Sequence, residues 1–502
     1  MATKYLYGAA VQGIQSFIFQ TNKLREIVGA SELVEEICTE VFEKEVGDSF
    51  HEYDGTTGAV LMASGHIKYI FDESDPALAK VVKNMPKRVQ SHAPGITFSQ
   101  AVVKMTGDYN KEVEELEKLL KIQRNKPMRS QTLGLMGILR SRQTGLPVIE
   151  YKKVKGKYEY LDAAAYAKLF DTTNSDNERK GEKNRNKTIP DDEKRPLLKD
   201  LDKKGGTNDW IAIIHIDGNG LGTVVEDVCK LGADKFKRFS TDLDNAVKIS
   251  AKEAFNAVKD KFKDENIIPI RPLILSGEDY NLICRADFAA EYVEAFLIKF
   301  EEETTFINGY VAGKNNLTAC AGIAFVKSSF PFYYAYNLAN GLCDFAKKQS
   351  ERKASCLMFH KVQDSFTESY DEIVERELTP QEGLSWQFGP YFYKSKDGYL
   401  TIDSLIKMSS QLLDKDGNAI KSHLRQWLSL IHEDGKVAKQ KINRVLAIVG
   451  DKKESAQKLK ALVTNLITPQ QRKNKDEEYC AYPAYDVLSL HSVIYQDTNS
   501  KG

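Results

Sequence analysis

The stretch Pro272-Leu-Ile-Leu-Ser-Gly-Glu-Asp-Tyr-Asn-Leu-Ile-Cys284 constrains what this chain can fold into more than any other. Two apolar runs, residues 273–275 and 280–284, flank a tight Ser276-Gly277-Glu278-Asp279. That pattern predicts a β-hairpin carrying two adjacent carboxylates at its tip. Upstream, Trp210-Ile-Ala-Ile-Ile-His-Ile216 is an uninterrupted apolar run, as expected of a buried central strand, and it ends in Asp217-Gly-Asn-Gly-Leu-Gly222. Either half alone reads as an ordinary polar turn between strands. Together they favour a metal site in which Asp217, Glu278 and Asp279 supply hard oxygen ligands to Mg²⁺ or Mn²⁺ and substrate phosphates complete the octahedron. Gly218 and Gly220 let backbone amides after the first strand approach phosphate, and Asn219, Ser276 and Gly277 complete the expected nucleotide-binding set.

The chain has 502 residues, enough for two to four domains. Its 71 basic and 71 acidic residues balance, so no global field draws it to nucleic acid or membrane, and any such contact needs a local patch. No signal-peptide pattern opens the sequence and no apolar run approaches the length of a membrane span. Seven scattered cysteines without a Cys-x-x-Cys give neither a disulfide framework nor a zinc ribbon. These features predict a cytoplasmic protein without membrane contact.

Four regions follow from the pattern. Residues 1–165 read as strand, helix, hairpin (59–71), strand (96–105) and helix (110–123), with Ser31 placed to cap a helix over 32–44. Residues 166–207 are charged and nearly free of apolar side chains over 171–207, which predicts a mobile linker. Residues 208–365 give strand, long helix (234–262), hairpin, helix (287–303), strand (317–326), helix (333–349) and strand (355–359), an order suited to a ferredoxin-like fold. Lys347 and Lys348 end the last of those helices, where an ammonium can reach a triphosphate or simply favour the helix dipole. Residues 366–502 read as amphipathic helices. Asp414-Lys-Asp-Gly-Asn418 lacks the glycine and glutamate of a calcium loop and is read as a loop between helices.

The first region echoes the third. Leu61-Met-Ala-Ser-Gly-His-Ile67 can be written over Leu273-Ile-Leu-Ser-Gly-Glu-Asp279, so that His66 and Ile67 fall where Glu278 and Asp279 stand. Ile96-Thr-Phe-Ser-Gln-Ala-Val102 similarly matches Leu317-Thr-Ala-Cys-Ala-Gly-Ile323. An internal duplication with a first copy that has lost its carboxylates is expected.

Tyr7-Gly-Ala-Ala-Val-Gln-Gly-Ile-Gln-Ser-Phe-Ile18, with Lys23-Leu-Arg-Glu26 and Gly29-Ala-Ser31, resembles the start of the first palm in the large subunit of type III CRISPR effectors. Asp217-Gly-Asn-Gly-Leu-Gly222 and Ser276-Gly-Glu-Asp279 resemble that family's second palm, whose hairpin is usually Gly-Gly-Asp-Asp, and Ala321-Gly-Ile-Ala324 fits as well. Arg140-Ser-Arg-Gln-Thr-Gly-Leu-Pro147 resembles the segment beside its zinc site. More distantly, the hairpin is similar to that of diguanylate cyclases. The resemblance implies an α+β chain of two ferredoxin-like palm domains and a C-terminal helical domain. It also implies Mg²⁺-dependent joining of ATP, or another NTP, into short or cyclic oligoadenylate messengers, with guide RNA or effector-complex subunits as partners through local patches. The sequence departs from the family in three ways: no His-Asp dipeptide of a metal nuclease, no zinc cysteines, and Ser-Gly-Glu-Asp in the hairpin. Two other readings stay open, a non-catalytic scaffold subunit of an RNA-guided defence complex and a stand-alone nucleotide cyclase outside CRISPR. The clustered acids weigh against the scaffold, because desolvating them without a cation is costly.

Overall fold

The computed structural model describes residues 3–63, 65–126, 136–154, 156–170, 179, 182–199, 201, 209–364, 369–413, 415–449, 454–474 and 477–494. A mixed α/β architecture is built on two large sheets. The first has four strands in the order Gly58–Ala63, His66–Asp72, Lys4–Gln12, Thr97–Lys104. The second has six, in the order Tyr391–Phe392, Cys356–Lys361, Ala319–Lys327, Trp210–Gly218, Asp279–Arg285, Ile270–Ser276. Outer hairpin strand, inner hairpin strand, first strand and later strand therefore recur in the same order in both.

The local signals recur too. Each first strand enters a helix through a left-handed glycine, Gly13 (φ 63°, ψ 31°) before Ile14–Ile18 and Gly220 (φ 66°, ψ 26°) before Leu221–Cys229. Each hairpin turns through a glycine at positive φ, 75° at Gly65 and 62° at Gly277, which a side chain would strain. In the first sheet Ala9 pairs with Ile67 and Ala10 with His66, so no carboxylate stands there.

Alternation along the central strands separates two cores. Ile211, Ile213, Ile283, Cys320, Ala324 and Val326 pack on one face with helix Phe332–Gln349. Ala212, Ile214, Ile216, Leu282, Ala321 and Ile323 pack on the other with Val247, Phe255, Phe296 and Phe300 of helices Ala233–Val258 and Ala289–Glu303. The first core also takes in Leu33, Phe42 and Tyr69 of the first sheet's layer, and the second takes in Leu6, Val103 and Leu116. The two sheets are thus joined by continuous apolar packing. No helix among the described residues is long and apolar enough to cross a membrane.

Several expectations are corrected. Ser31 does not cap a helix: Leu24–Glu36 is continuous through it, and its hydroxyl donates to the carbonyl of Leu273 on the second sheet's edge strand. Small residues serve close approach here, since a Cβ on Gly29 would lie 1.6 Å from the Lys168 carbonyl oxygen. Within the expected linker, residues 171–178, 180, 181, 200 and 202–207 lie outside the described residues, but 182–199 are packed rather than free. Helix Glu182–Thr188 sets Lys187 on Glu35 (2.7 Å) and Lys183 on Glu40 (2.8 Å), and buried Asn184 donates to Leu273 (2.7 Å). Composition misled because these charges are neutralised by acids on the facing helix. Leu197 and Leu198 are buried, and Leu198 bonds the Ile268 carbonyl (3.0 Å).

The C-terminal region is not wholly helical. Helices Ile402–Gln411, Lys415–Leu430, Gly435–Val449, Glu454–Ile467 and Pro483–Ile494 accompany a three-stranded sheet, Leu384–Ser385, Glu477–Ala481, Gln470–Asn474, while Tyr391–Phe392 extends the six-stranded sheet. The stretch expected as a loop at 414–418 is helical from Lys415, and its Asp-Gly-Asn forms a first turn, where such residues are favoured.

Candidate metal and nucleotide site

His215 and Asp217 are two apart on strand Trp210–Gly218 and so share a face. In the antiparallel register His215 lies opposite Asn281, and Asp279 stands two residues before Asn281 on the inner hairpin strand. Pairing thereby collects His215, Asp217 and Asp279, whose ligand atoms all lie within 4.8 Å of one another. Nδ1 of His215 is 2.6 Å from Oδ1 of Asn281, an acceptor that fixes the ring's tautomer. Burial lowers the pKa of His215, which keeps the imidazole in its neutral, metal-ligating form.

Glu278 occupies the turn rather than the cluster. A Cβ on Gly218 would lie 3.1 Å from its Cβ, so the glycine makes room for that side chain. Burial, then the charges of Asp279 and Asp217, push Glu278 up to about 7. Burial and the charge of Asp217 likewise push Asp279 up to about 7. These acids are held where their charge is unfavourable unless a cation is present.

Lys347 is that cation within the chain. It is buried, and its ammonium bonds Asp217 Oδ2. Helix Phe332–Gln349 can bring it there because Gly322 leaves no gap to fill: a Cβ would meet the Ala339 carbonyl oxygen at 1.9 Å. Lys348, the other expected lysine, is exposed and turned away.

Gly220 caps helix Leu221–Cys229, whose first amides follow the strand end. Asn219 is turned into the protein: its backbone N–H donates to Thr318 O (2.8 Å) and its Nδ2 to Thr318 Oγ1 (3.0 Å) and Ala354 O (3.3 Å). Its Oδ1 has no partner among the described residues. Ser276 pairs with Asp279 across the turn closed by Gly277.

Sequence reasoning missed His215, Asn281 and Tyr336. The first had a signal, its position two before Asp217 on a strand. Tyr336 had none. Its ring lies edge-on to His215 (5.8 Å, 76°) and against Phe19 of the first unit (4.1 Å), and its buried hydroxyl has no partner among the described residues.

No protein-family model matches the sequence, and no curated protein does. Solved structures do. One is the Csm1-Csm4 cassette in complex with cA3, with TM-score 0.51 and 14% identity over 98% of this chain and 70% of that one. The cassette in complex with AMPPNP matches with TM-score 0.52 and 13% identity over 98% and 69%. The Csm1-Csm4 subcomplex of the type III-A CRISPR-Csm interference complex matches with TM-score 0.52 and 15% identity over 98% and 69%. The chain has the Csm1 fold. The resemblance carried by the palm motifs therefore holds at the level of fold for nearly the whole chain.

Proposed function

We propose that this chain is a palm-type nucleotidyltransferase that joins ATP into short or cyclic oligoadenylates within a type III CRISPR effector. The convergence of Asp217 and Asp279 with His215 within 4.8 Å, on a Csm1-like fold, carries the reading. The ligands named for the similar structures support it: AMPPNP, one ATP, pppApA, pppApApA, cA3 and cA4 are the series that stepwise adenylyl transfer followed by ring closure would pass through. The two sheets sharing one strand order support reading two palms, the first degenerate.

In the transfer, a ribose hydroxyl forms a bond to the α-phosphorus of ATP, the α–β phosphoanhydride breaks and pyrophosphate leaves. Asp217 and Asp279 would hold Mg²⁺ or Mn²⁺, with Glu278 and His215 beside them. Their donor set fits, two carboxylates offering hard oxygens beside an imidazole, with ligand atoms within 4.8 Å of one another. When bound, the ion supplies Lewis-acid stabilisation of charge on the phosphate. Lys347, released from Asp217, can meet triphosphate oxygens, and the Gly220-capped helix end offers amides to phosphate. Incubation with each NTP and Mg²⁺ or Mn²⁺, with and without RNA and effector subunits, followed by mass spectrometry, tests the reading. Oligoadenylate formed from ATP supports it. Products from a different nucleotide alone overturn the substrate assignment.

A further inference from the structure

A two-stranded hairpin, Val148–Val154 paired with Lys157–Asp162, forms a sheet of its own. Its inner side is satisfied: Val154 and Leu161 are buried with Ala165, Leu169 and Phe170, and Lys152 lies 4.3 Å over the Phe170 ring. Its outer side is not. Tyr151, Tyr158 and Tyr160 are 54%, 61% and 50% exposed, and Ile149 beside them 55%. The rings are ordered: Tyr151 stacks on Tyr160 at 4.6 Å and on Tyr158 at 5.0 Å, with planes within 28° and 24°. Tyr151 is thus the middle of a stack whose open ends are Tyr158 and Tyr160.

Charge indicates the occupant. Lys153 lies directly across from Tyr158, on the tyrosine side. Lys157, in register with Val154 on the inner side, stands at the hairpin's end, and neither lysine pairs with a carboxylate among the described residues. The nearby acids are turned away or engaged: Glu150 is in register with Leu161 on the inner side, Glu159 pairs with Lys23, and Asp162 caps helix Ala163–Leu169. From Arg140 to Asp162 the sequence carries six basic residues (Arg140, Arg142, Lys152, Lys153, Lys155, Lys157) against those three acids, in a chain with no net charge. Protein interfaces are depleted of lysine at their centres, whereas aromatic rings interleaved with cations suit unpaired bases and phosphates.

We infer that this face is a platform for single-stranded nucleic acid, with bases stacking on the open faces of Tyr158 and Tyr160 and Lys153 meeting phosphate. It stands independently of the carboxylate site. Fluorescence anisotropy of the full chain with labelled oligouridylate and oligoadenylate at several salt concentrations tests it. Wild type binds, and more weakly as salt rises. Replacing the three tyrosines together (Tyr151→Ser, Tyr158→Ser, Tyr160→Ser) weakens binding about tenfold or more, while Tyr158→Phe with Tyr160→Phe keeps it. Lys153→Gln leaves the stack intact and lowers the log–log salt slope by about 1. No binding by wild type at low salt, or unchanged binding in the triple serine variant, overturns the inference. So does a triple variant that alters only self-association in sedimentation, because that outcome assigns the face to protein.

Discussion

At the scale of single residues, the site is a set of buried acids whose charge is offset within the chain by Lys347 at Asp217. Asp279 and Glu278 titrate near 7 in the folded chain, above the ordinary carboxylate range near 4. A raised folded pKa contributes stability that is full below about pH 4 and is lost as pH rises through about 7. The metal-free protein is therefore expected to lose stability between those limits, and Asp279→Asn to regain roughly 1–3 kcal/mol at pH 8 but little at pH 4. Urea unfolding at the two pH values, with chelator, measures this, and a flat wild-type profile would contradict it. Mg²⁺ should restore wild-type stability at pH 8 and do much less for Asp279→Asn. Lys347→Met removes the internal cation, so the metal-free variant should be less stable at pH 8 while its response to Mg²⁺ grows. A smaller Mg²⁺ response in the same melts would show that the lysine assists the ion rather than substituting for it. The carboxylates were legible because a strand end and a hairpin tip announce themselves in sequence. His215 carried a signal in its position two before Asp217, but its place beside Asn281 is shown by the pairing register alone.

At the scale of elements, the hairpin, the central strand and helices Ala233–Val258, Ala289–Glu303 and Phe332–Gln349 follow from periodicity alone, and their boundaries agree within a few residues, whereas the short helix Leu221–Cys229 was not read from sequence. What periodicity could not supply is why certain elements touch. Helix Phe332–Gln349 sits on the sheet at Gly322, and helix Leu24–Glu36 meets the Lys168 carbonyl at Gly29. Each glycine looks in sequence like a flexible position. Gly322→Ala must push the helix and Lys347 away from Asp217, at a cost of about 3 kcal/mol. Denaturant midpoints should fall accordingly, and a loss below about 0.5 kcal/mol would show that the helix has room to give. Helix Ala77–His92 escaped the sequence reading because Pro86 sits inside it and looks like a breaker.

At the scale of the whole molecule, the repeated strand order and the two shared cores make the first unit part of the second's surroundings, with Phe19 against Tyr336 at the site itself. Residues 182–199 are part of that packing, which their charged composition concealed. Under native limited proteolysis, trypsin should therefore cut after Lys183, Arg185 and Lys187 at least about tenfold more slowly than after exposed Arg142. Mass spectrometry of early fragments decides this, and early cleavage at any of the three would contradict the packing described. The central claim, that Asp217 and Asp279 act as one unit in nucleotidyl transfer, is tested most directly by pyrophosphate release from ATP. Wild type, Asp217→Asn, Asp279→Asn and the double variant would be compared with Mg²⁺ or Mn²⁺ and with the activators that support wild-type turnover. The account predicts a loss of roughly 10²-fold or more for each single variant and little further loss in the double. Unchanged turnover in Asp279→Asn, or multiplicative losses in the double variant, would contradict it.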